Sequence, residues 1–263
     1  MEPNVKLYIN DINPSSNKTI VFLHGWPLNN EMFEYQYNFF LKYGYRCIGI
    51  DMRGFGKSDK PIGPYTYDRI ANDVKIVVDT LKLENIILIA HSVGGAIAIR
   101  YMSKYNNYKV SKLVLISAAA PSFVKLQNYP YGMTKDEVNK FINSTYSDRP
   151  SMLQSFTDIF FNQYITQAFS HWILNLGLAA SGYATAQILV SLRDENLFED
   201  VKNISKPTLI CQGLHDKVCP MQFGEILNSS IPNSKFIVYQ NSGHALFFEE
   251  KDKLNNNILE FIG

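Results

Sequence analysis

The sequence lacks three features that would indicate other classes of protein: an excess of one charge, a long apolar run and a cysteine framework. Its 25 basic and 24 acidic residues give a formal charge of +1. A chain so balanced has no overall field to hold a phosphate backbone, so we expect no nucleic-acid partner. Apolar runs such as residues 86–90 are far shorter than the roughly 20 residues that span a bilayer. We therefore expect no membrane partner either.

Cysteine is scarce, and Cys47, Cys211 and Cys219 are too few and too scattered for a disulfide framework. Cys47 and Cys211 lie in apolar runs typical of buried strands, where a thiol behaves as a small hydrophobe. No cysteine or histidine shows the spacing of a metal site, so no metal and no cofactor is expected. The segment around Glu2 has neither the basic nor the apolar region of a signal peptide, which favours a cytoplasmic location.

Apolar residues are plentiful at 46%, enough to build a packed core. Short β-branched runs predict buried strands, and they alternate with segments of helical period such as 67–81 and 93–106. The predicted strands are residues 19–24, 45–51, 85–91, 110–117, 207–212 and 235–239. Strands that alternate with helices indicate an α/β fold with a mostly parallel central sheet and helices on both faces.

The interval 118–200 interrupts this alternation. It shows no strand pattern, and the sequence from Thr134 to Glu137 fits a capping box at a helix start. Aromatic residues are dense in the interval, which predicts a helical layer with its own apolar contacts. We therefore predict a core formed by residues 1–117 and 201–263, with a helical cap of residues 118–200 inserted between two strands of the sheet.

Ser92 lies where the strand 86–90 turns sharply into an apolar helix. Such a turn holds the serine at positive φ and pushes its hydroxyl above the sheet, and it needs small residues two positions to either side. Ala90 and Gly94 occupy those positions, one methyl group away from the Gly-x-Ser-x-Gly pattern. The segment alone leaves two interpretations open: a nucleophile, or a glycine-rich turn that serves packing only.

Other segments favour the nucleophile. Asp216 and His244 follow the last two predicted strands, and Ser92, Asp216 and His244 stand in the nucleophile, acid and base order of this kind of fold. All three fall at carboxyl ends of parallel strands, where α/β sheets bind ligands. The backbone N–H groups of Trp26 and Val93 are the candidates for an oxyanion hole. The sequence therefore predicts a catalytic triad.

Six segments carry motifs in this order: HGWPL at 24–28, DMRGFGKSDKP at 51–61, AHSVGG at 90–95, LISAAAP at 115–121, GLHDKVCP at 213–220 and NSGHALFFEE at 241–250. Over nearly the whole chain they resemble the α/β-hydrolase superfamily. More narrowly, they are similar to its cofactor-free haloperoxidase or aryl-esterase subgroup. The sequence departs from the resemblance at Ala90, where the superfamily usually has Gly, and at Val93, where the subgroup usually has Met.

The resemblance implies serine esterases that also perform perhydrolysis, without metal or haem. Because residue 92 is serine rather than aspartate, we expect acyl transfer through an ester intermediate. The predicted function is hydrolysis of small or aryl carboxylic esters, with a perhydrolase side activity. Lactone, amide or carbon–carbon bond hydrolysis on the same fold, or a ligand sensor of low turnover, are the alternatives. Four aromatic residues of the insertion are candidates for substrate contact: Phe123, Phe156, Phe160 and Trp172.

Overall fold

The structure is a computed structural model that describes residues 5–263. Seven strands form one sheet in the order β1-β3-β2-β4-β5-β6-β7. All neighbouring pairs are parallel except β1 with β3. The strands are β1 (Ile9–Ile12), β2 (Thr19–Leu23), β3 (Arg46–Ile50), β4 (Ile86–His91), β5 (Val110–Ile116), β6 (Thr208–Gly213) and β7 (Ser234–Tyr239). The predicted α/β fold with a mostly parallel sheet is confirmed.

Nine α-helices accompany the sheet within the described residues. α1 packs against α9, and α2 packs against α3. Their bounds are α1 (Glu34–Phe40), α2 (Tyr67–Thr80), α3 (Val93–Lys104), α4 (Lys135–Phe160), α5 (Gln167–Leu178), α6 (Gly182–Asp194), α7 (Met221–Ser230), α8 (Leu246–Glu249) and α9 (Lys251–Ile262). The strands β2, β4 and β6 are buried along their whole length, which explains why their sequences are nearly continuous apolar runs.

Strand β1 was not predicted. Its sequence is INDI, its four residues are only partly buried, and it pairs antiparallel with β3 at the edge of the sheet. A short edge strand with two polar residues carries no apolar run for a sequence pattern to detect. It extends the sheet on the side away from β4.

Helices α4, α5 and α6 occupy most of the interval between β5 and β6. Thr134 caps α4 through the predicted capping box with Glu137. Asp148 has non-helical angles inside α4, with φ −151° and ψ 79°, and Pro150 follows it. Because proline lacks the N–H for a helical hydrogen bond, the break divides α4 into two arms. We call residues 135–147 the first arm and residues 149–160 the second arm.

Two of the cysteines belong to the sheet, as predicted. Cys47 in β3 and Cys211 in β6 are fully buried. Burial raises the pKa of both thiols to about 12, so both are protonated at neutral pH. They are therefore core residues.

No single helix in the described part of the chain is long and apolar enough to cross a membrane. The helices α5 and α6 pass that test only as a pair, and the pair is bent by 89°.

Candidate active site

Ser92 lies in a sharp turn between β4 and α3 with φ 54° and ψ −121°. Positive φ at a residue other than glycine costs about 1–3 kcal/mol, so the surrounding structure must hold it there. Gly94 allows this turn, because a Cβ at that position would lie 2.5 Å from the carbonyl oxygen of Leu23. The small side chain of Ala90 is completely buried two residues before the serine. The predicted serine turn is thus present in the structure.

The structure brings Ser92, Asp216 and His244 together. His244 Nε2 lies 2.9 Å from Ser92 Oγ, and His244 Nδ1 lies 2.8 Å from Asp216 Oδ2. A carboxylate oxygen only accepts, so Nδ1 carries the imidazole proton and Nε2 accepts from the serine hydroxyl. The three side chains are buried, and His244 is fully excluded from solvent. This geometry fits the arrangement of nucleophile, base and acid.

Asp216 is held from three directions. The backbone N–H groups of Val218 and Cys219 each donate to Asp216 Oδ1 at 2.8 Å. Gln212 Nε2 donates to Oδ2 at 3.0 Å and to the carbonyl oxygen of Cys219 at 2.7 Å. The carboxylate therefore presents Oδ2 toward His244 in one orientation. Gln212 was missed at the sequence level, although a glutamine inside a buried strand signals a polar partner.

Two further histidines support the backbone around the site. His91 Nε2–H donates to the carbonyl oxygen of His244 at 3.0 Å, and the two rings lie 4.7 Å apart. His24 Nε2 accepts the N–H of Met52 at 3.0 Å, which leaves its Nδ1–H to donate to the carbonyl oxygen of Gly25 at 3.0 Å. These bonds fix His24 at the loop that follows β2 and His91 beneath His244.

The predicted oxyanion donors lie on neighbouring loops, because β2 and β4 are paired in parallel and Leu23 lies beside Ala90. Val93 is the first residue of α3, so its N–H has no acceptor within the helix. The indole N–H of Trp26 donates to the carbonyl oxygen of Thr185 in α6 at 2.9 Å, which ties the loop to the insertion. The assignment of these two N–H groups to an oxyanion remains a prediction.

A narrow cavity lies over Ser92. It is tight, with free space for about one water molecule. Phe123 and Phe156, two of the four candidates for substrate contact, line it together with Trp26, Ser92, Met133, Phe141, Leu189, Leu192 and Val218. Phe160 instead packs edge-on against His244, with ring centroids 5.2 Å apart. Trp172 does not line this cavity and packs against Phe169 of α5.

A sequence profile of the alpha/beta hydrolase fold family matches residues 18–139 and 122–251. The two matches together cover most of the chain. This protein belongs to that family.

The chain is similar to proteins that are named as a hydrolase, an esterase and an esterase/perhydrolase. A Bacillus subtilis protein of the AB hydrolase superfamily, YisY, is 46% identical over 99% of this chain and 96% of its own length. The bifunctional esterase/perhydrolase DCH of Acinetobacter calcoaceticus is 30% identical over 98% of this chain and 96% of its own length. An esterase of Exiguobacterium antarcticum, EaEST, has 43% identity and a TM-score of 0.97, over 99% of this chain and 97% of that one. Further relatives, 28–29% identical, are named non-heme chloroperoxidases.

The predicted membership and the narrower likeness to the haloperoxidase and esterase subgroup are both confirmed. By family, this protein is a hydrolase. Among residues 5–263 of this α/β hydrolase, no group of three or more histidine, cysteine, aspartate or glutamate side chains is placed to share a metal ion.

The buried histidines of this α/β hydrolase predict a loss of stability in acid. Burial lowers the pKa of His91 well below its ordinary value, the nearby His244 lowers it further, and burial also lowers the pKa of His24. The unfolded chain protonates such residues near pH 6.5, so below that pH it binds more protons than the folded chain. We expect the free energy of unfolding to fall by about 1.4 kcal/mol per pH unit for each such histidine.

Urea unfolding between about pH 7 and pH 5 measures this slope. The variant His91→Gln keeps a side-chain N–H for the His244 carbonyl and should lower the slope by about 1.4 kcal/mol per pH unit. The control is His171→Gln, which changes an exposed histidine of α5 and should keep the wild-type slope. Equal slopes for the wild type and His91→Gln would show that His91 does not contribute to the pH dependence of the free energy of unfolding.

Proposed function

We propose that this protein is a serine hydrolase that cleaves carboxylic esters through an acyl-enzyme intermediate. The observation that carries the proposal is the unbroken hydrogen-bonded chain from Asp216 through His244 to Ser92, at 2.8 and 2.9 Å. An imidazole held by a carboxylate and in contact with a serine hydroxyl is the arrangement that activates that hydroxyl. The names of the relatives EaEST and DCH support the same class of reaction.

The reaction begins when Ser92 Oγ attacks the ester carbonyl carbon and His244 Nε2 takes the hydroxyl proton. Asp216 stabilises the imidazolium that forms. The N–H groups of Trp26 and Val93 would donate hydrogen bonds to the negatively charged oxygen that develops from the carbonyl, each contributing roughly 2.7–4 kcal/mol. Collapse breaks the bond to the alcohol, which leaves with the proton from His244.

The second half of the reaction removes the acyl group from Ser92. Water attacks the acyl carbon while His244 takes its proton, and the proton then returns to Ser92 as the carboxylic acid leaves. Hydrogen peroxide in place of water gives a peroxycarboxylic acid by the same steps. Perhydrolysis therefore needs only a different nucleophile, and the protein is not oxidised. The name of the relative DCH, an esterase/perhydrolase, supports including perhydrolysis in the proposal.

The cavity over Ser92 favours small acyl groups. Its room of about 20 Å³ is close to that of one water molecule. Aromatic rings such as Phe123 and Phe156 form much of its wall and suit a planar substrate. We therefore propose small and aryl esters as substrates, with residues 118–200 acting as a cap that sets their size and that must move outward to admit an aryl group.

Two measurements test the function together. A fluorophosphonate probe should label Ser92, and nitrophenyl esters from acetate to octanoate should be turned over with the shorter acyl groups preferred. Labelling without ester turnover would favour another serine reaction, such as lactone or amide hydrolysis. Absence of both, with tight ligand binding retained, would indicate a sensor and contradict the proposal.

Phe141 should set the acyl length. It lines the cavity over Ser92 and also a groove of about 390 Å³ between the two arms of α4, so its ring separates the two spaces. The variant Phe141→Ala would join them. Each buried methylene contributes about 0.8 kcal/mol, so the ratio of kcat/KM for octanoate to that for acetate should rise at least about tenfold.

The matched control is Tyr146→Ala, which removes an aromatic side chain that is 62% exposed on the same arm. The acyl-length panel should be unchanged in that variant. If Phe141→Ala also leaves the ratio unchanged, then the ring does not limit the acyl chain.

A further inference from the structure

Outside the triad, the second arm of α4 is joined to the loop that carries His244. We call this contact the cap seam; it consists of residues 160–163 on one side and residues 241–249 on the other. Its backbone and side-chain hydrogen bonds are Ala245 N to Phe160 O at 3.1 Å, Asn162 Nδ2 to Asn241 O at 2.9 Å, and Gln163 Nε2 to Asn241 O at 3.1 Å. Residues about 80 positions apart are thus held together.

Glu249 is the centre of the cap seam. Its Oε1 accepts the backbone N–H groups of Asn162 and Gln163, both at 2.6 Å, and its Oε2 accepts the N–H of Gly243 at 2.7 Å. Two of these donors belong to the segment of the insertion between α4 and α5, and the third belongs to the residue before His244. Hydrogen bonds of backbone N–H groups to an ionised carboxylate are about twice as strong as neutral ones.

These hydrogen bonds hold the backbone of His244 and of the residues on either side of it. Gly243 donates to Glu249, the carbonyl oxygen of His244 accepts from His91, and Ala245 donates to Phe160. Three consecutive residues are therefore fixed, each by a different part of the molecule. Only one of the three, Gly243, depends on a side chain that also holds the insertion, at Asn162 and Gln163.

We propose that Glu249 is a positioning residue that couples the cap, at the segment between α4 and α5, to the placement of His244. The proposal rests on the proposed function, since it assigns Glu249 a role through the base. Glu249 does not contact the reacting atoms; it orients the backbone that carries the imidazole. Displacing a catalytic group by about 1 Å can cost as much as 100-fold in rate, so loss of this anchor should reduce turnover.

Two substitutions of Glu249 distinguish its hydrogen bond to Gly243 from its hydrogen bonds to Asn162 and Gln163. Glutamine has one oxygen, so in Glu249→Gln the amide keeps its oxygen toward Asn162 and Gln163 and turns its NH₂ toward the N–H of Gly243. That variant releases Gly243 from residue 249 but leaves Asn162 and Gln163 attached to it. In Glu249→Ala both attachments are lost.

We expect Glu249→Gln to lower kcat about tenfold while KM changes less than twofold. In Glu249→Ala we expect the same loss of kcat and, in addition, faster hydrogen exchange of the Asn162 and Gln163 amides. Rates are expressed per site titrated with the fluorophosphonate, so that unfolded protein is not counted. The control Glu225→Gln removes an exposed carboxylate of α7 and should behave as wild type.

A purely structural role predicts a different result: a lower melting temperature with an unchanged kcat per titrated site, which would overturn the proposal. If both variants fail to fold, hydrogen exchange of the wild type tests the proposal. Backbone amides that are bonded to one carboxylate should exchange through the same opening event. A Gly243 amide that exchanges independently of Asn162 and Gln163 would also overturn it. Failure of the wild type to react with the probe would contradict the proposed function instead.

Discussion

Replacing Ser92 by alanine should lower kcat for a nitrophenyl ester by about 10⁴- to 10⁶-fold, since no other group can form the acyl intermediate. The hydroxyl is hydrogen-bonded to His244 at 2.9 Å, and its loss removes the nucleophile while leaving the imidazole and Asp216 in place. Fluorophosphonate labelling should vanish in the same variant. The protein should keep its fold, because the substitution removes a single oxygen atom.

Ser117→Ala is a closely matched control. Ser117 directly follows β5, the neighbour of β4, and it is buried. Its φ is 45° against 54° for Ser92, and its hydroxyl has no hydrogen-bond partner among the described residues. Both variants therefore replace a buried serine at positive φ. Ser117→Ala should retain activity within about twofold, as expected for a substitution away from the reacting groups. A Ser92→Ala variant as active as Ser117→Ala would end the proposal of a serine nucleophile.

Replacing Asp216 by asparagine should lower kcat about 10⁴-fold while the structure is preserved. Two backbone N–H groups, of Val218 and Cys219, require an acceptor at Oδ1, whereas only the Gln212 side chain and the imidazole face Oδ2, so the new NH₂ should take the Oδ2 position. An N–H at that position forces Nδ1 of the imidazole to accept. The imidazole proton then sits on Nε2, which can no longer accept from Ser92.

Steady-state kinetics of Asp216→Asn, alongside Asp158→Asn, measures this effect. Asp158 is an exposed carboxylate of α4, so its variant changes the charge equally and should be fully active. A loss smaller than about tenfold in Asp216→Asn would mean that another group supports His244, contrary to the expected cost of the wrong tautomer.

Much of the fold could be predicted because buried parallel strands and the turns after them leave local patterns. The strand before Ser92 and the strands before Asp216 and His244 were all recognisable as apolar runs, and the parallel order places their carboxyl ends together. The edge strand β1 was missed because a partly buried segment with polar residues has no such pattern.

The parts of the site that escaped prediction depend on contacts between distant residues. Gln212 reaches Asp216 across a short loop, but the contact of Glu249 with Asn162 joins segments 87 positions apart. The size of the cavity depends on how aromatic side chains such as Phe141 and Phe156 pack against each other, 6.2 Å apart in an edge-on arrangement. Sequence patterns report which residues are apolar, but they do not fix rotamers or ring orientations.

The point at which the chain leaves the sheet to build helices α4, α5 and α6 has an evolutionary consequence. Strands β5 and β6 are direct neighbours, with Ile116 beside Cys211, and adjacent strands lie about 4.8 Å apart. The chain leaves β5 at one edge of the sheet and enters β6 at the opposite edge, but the two ends of the helical excursion meet, because the backbone N–H of Leu197 donates to the carbonyl oxygen of Pro121 at 2.8 Å. Descendants that exchange this module but keep its contacts at the cap seam could acquire new substrates while Ser92, Asp216 and His244 keep their mutual distances.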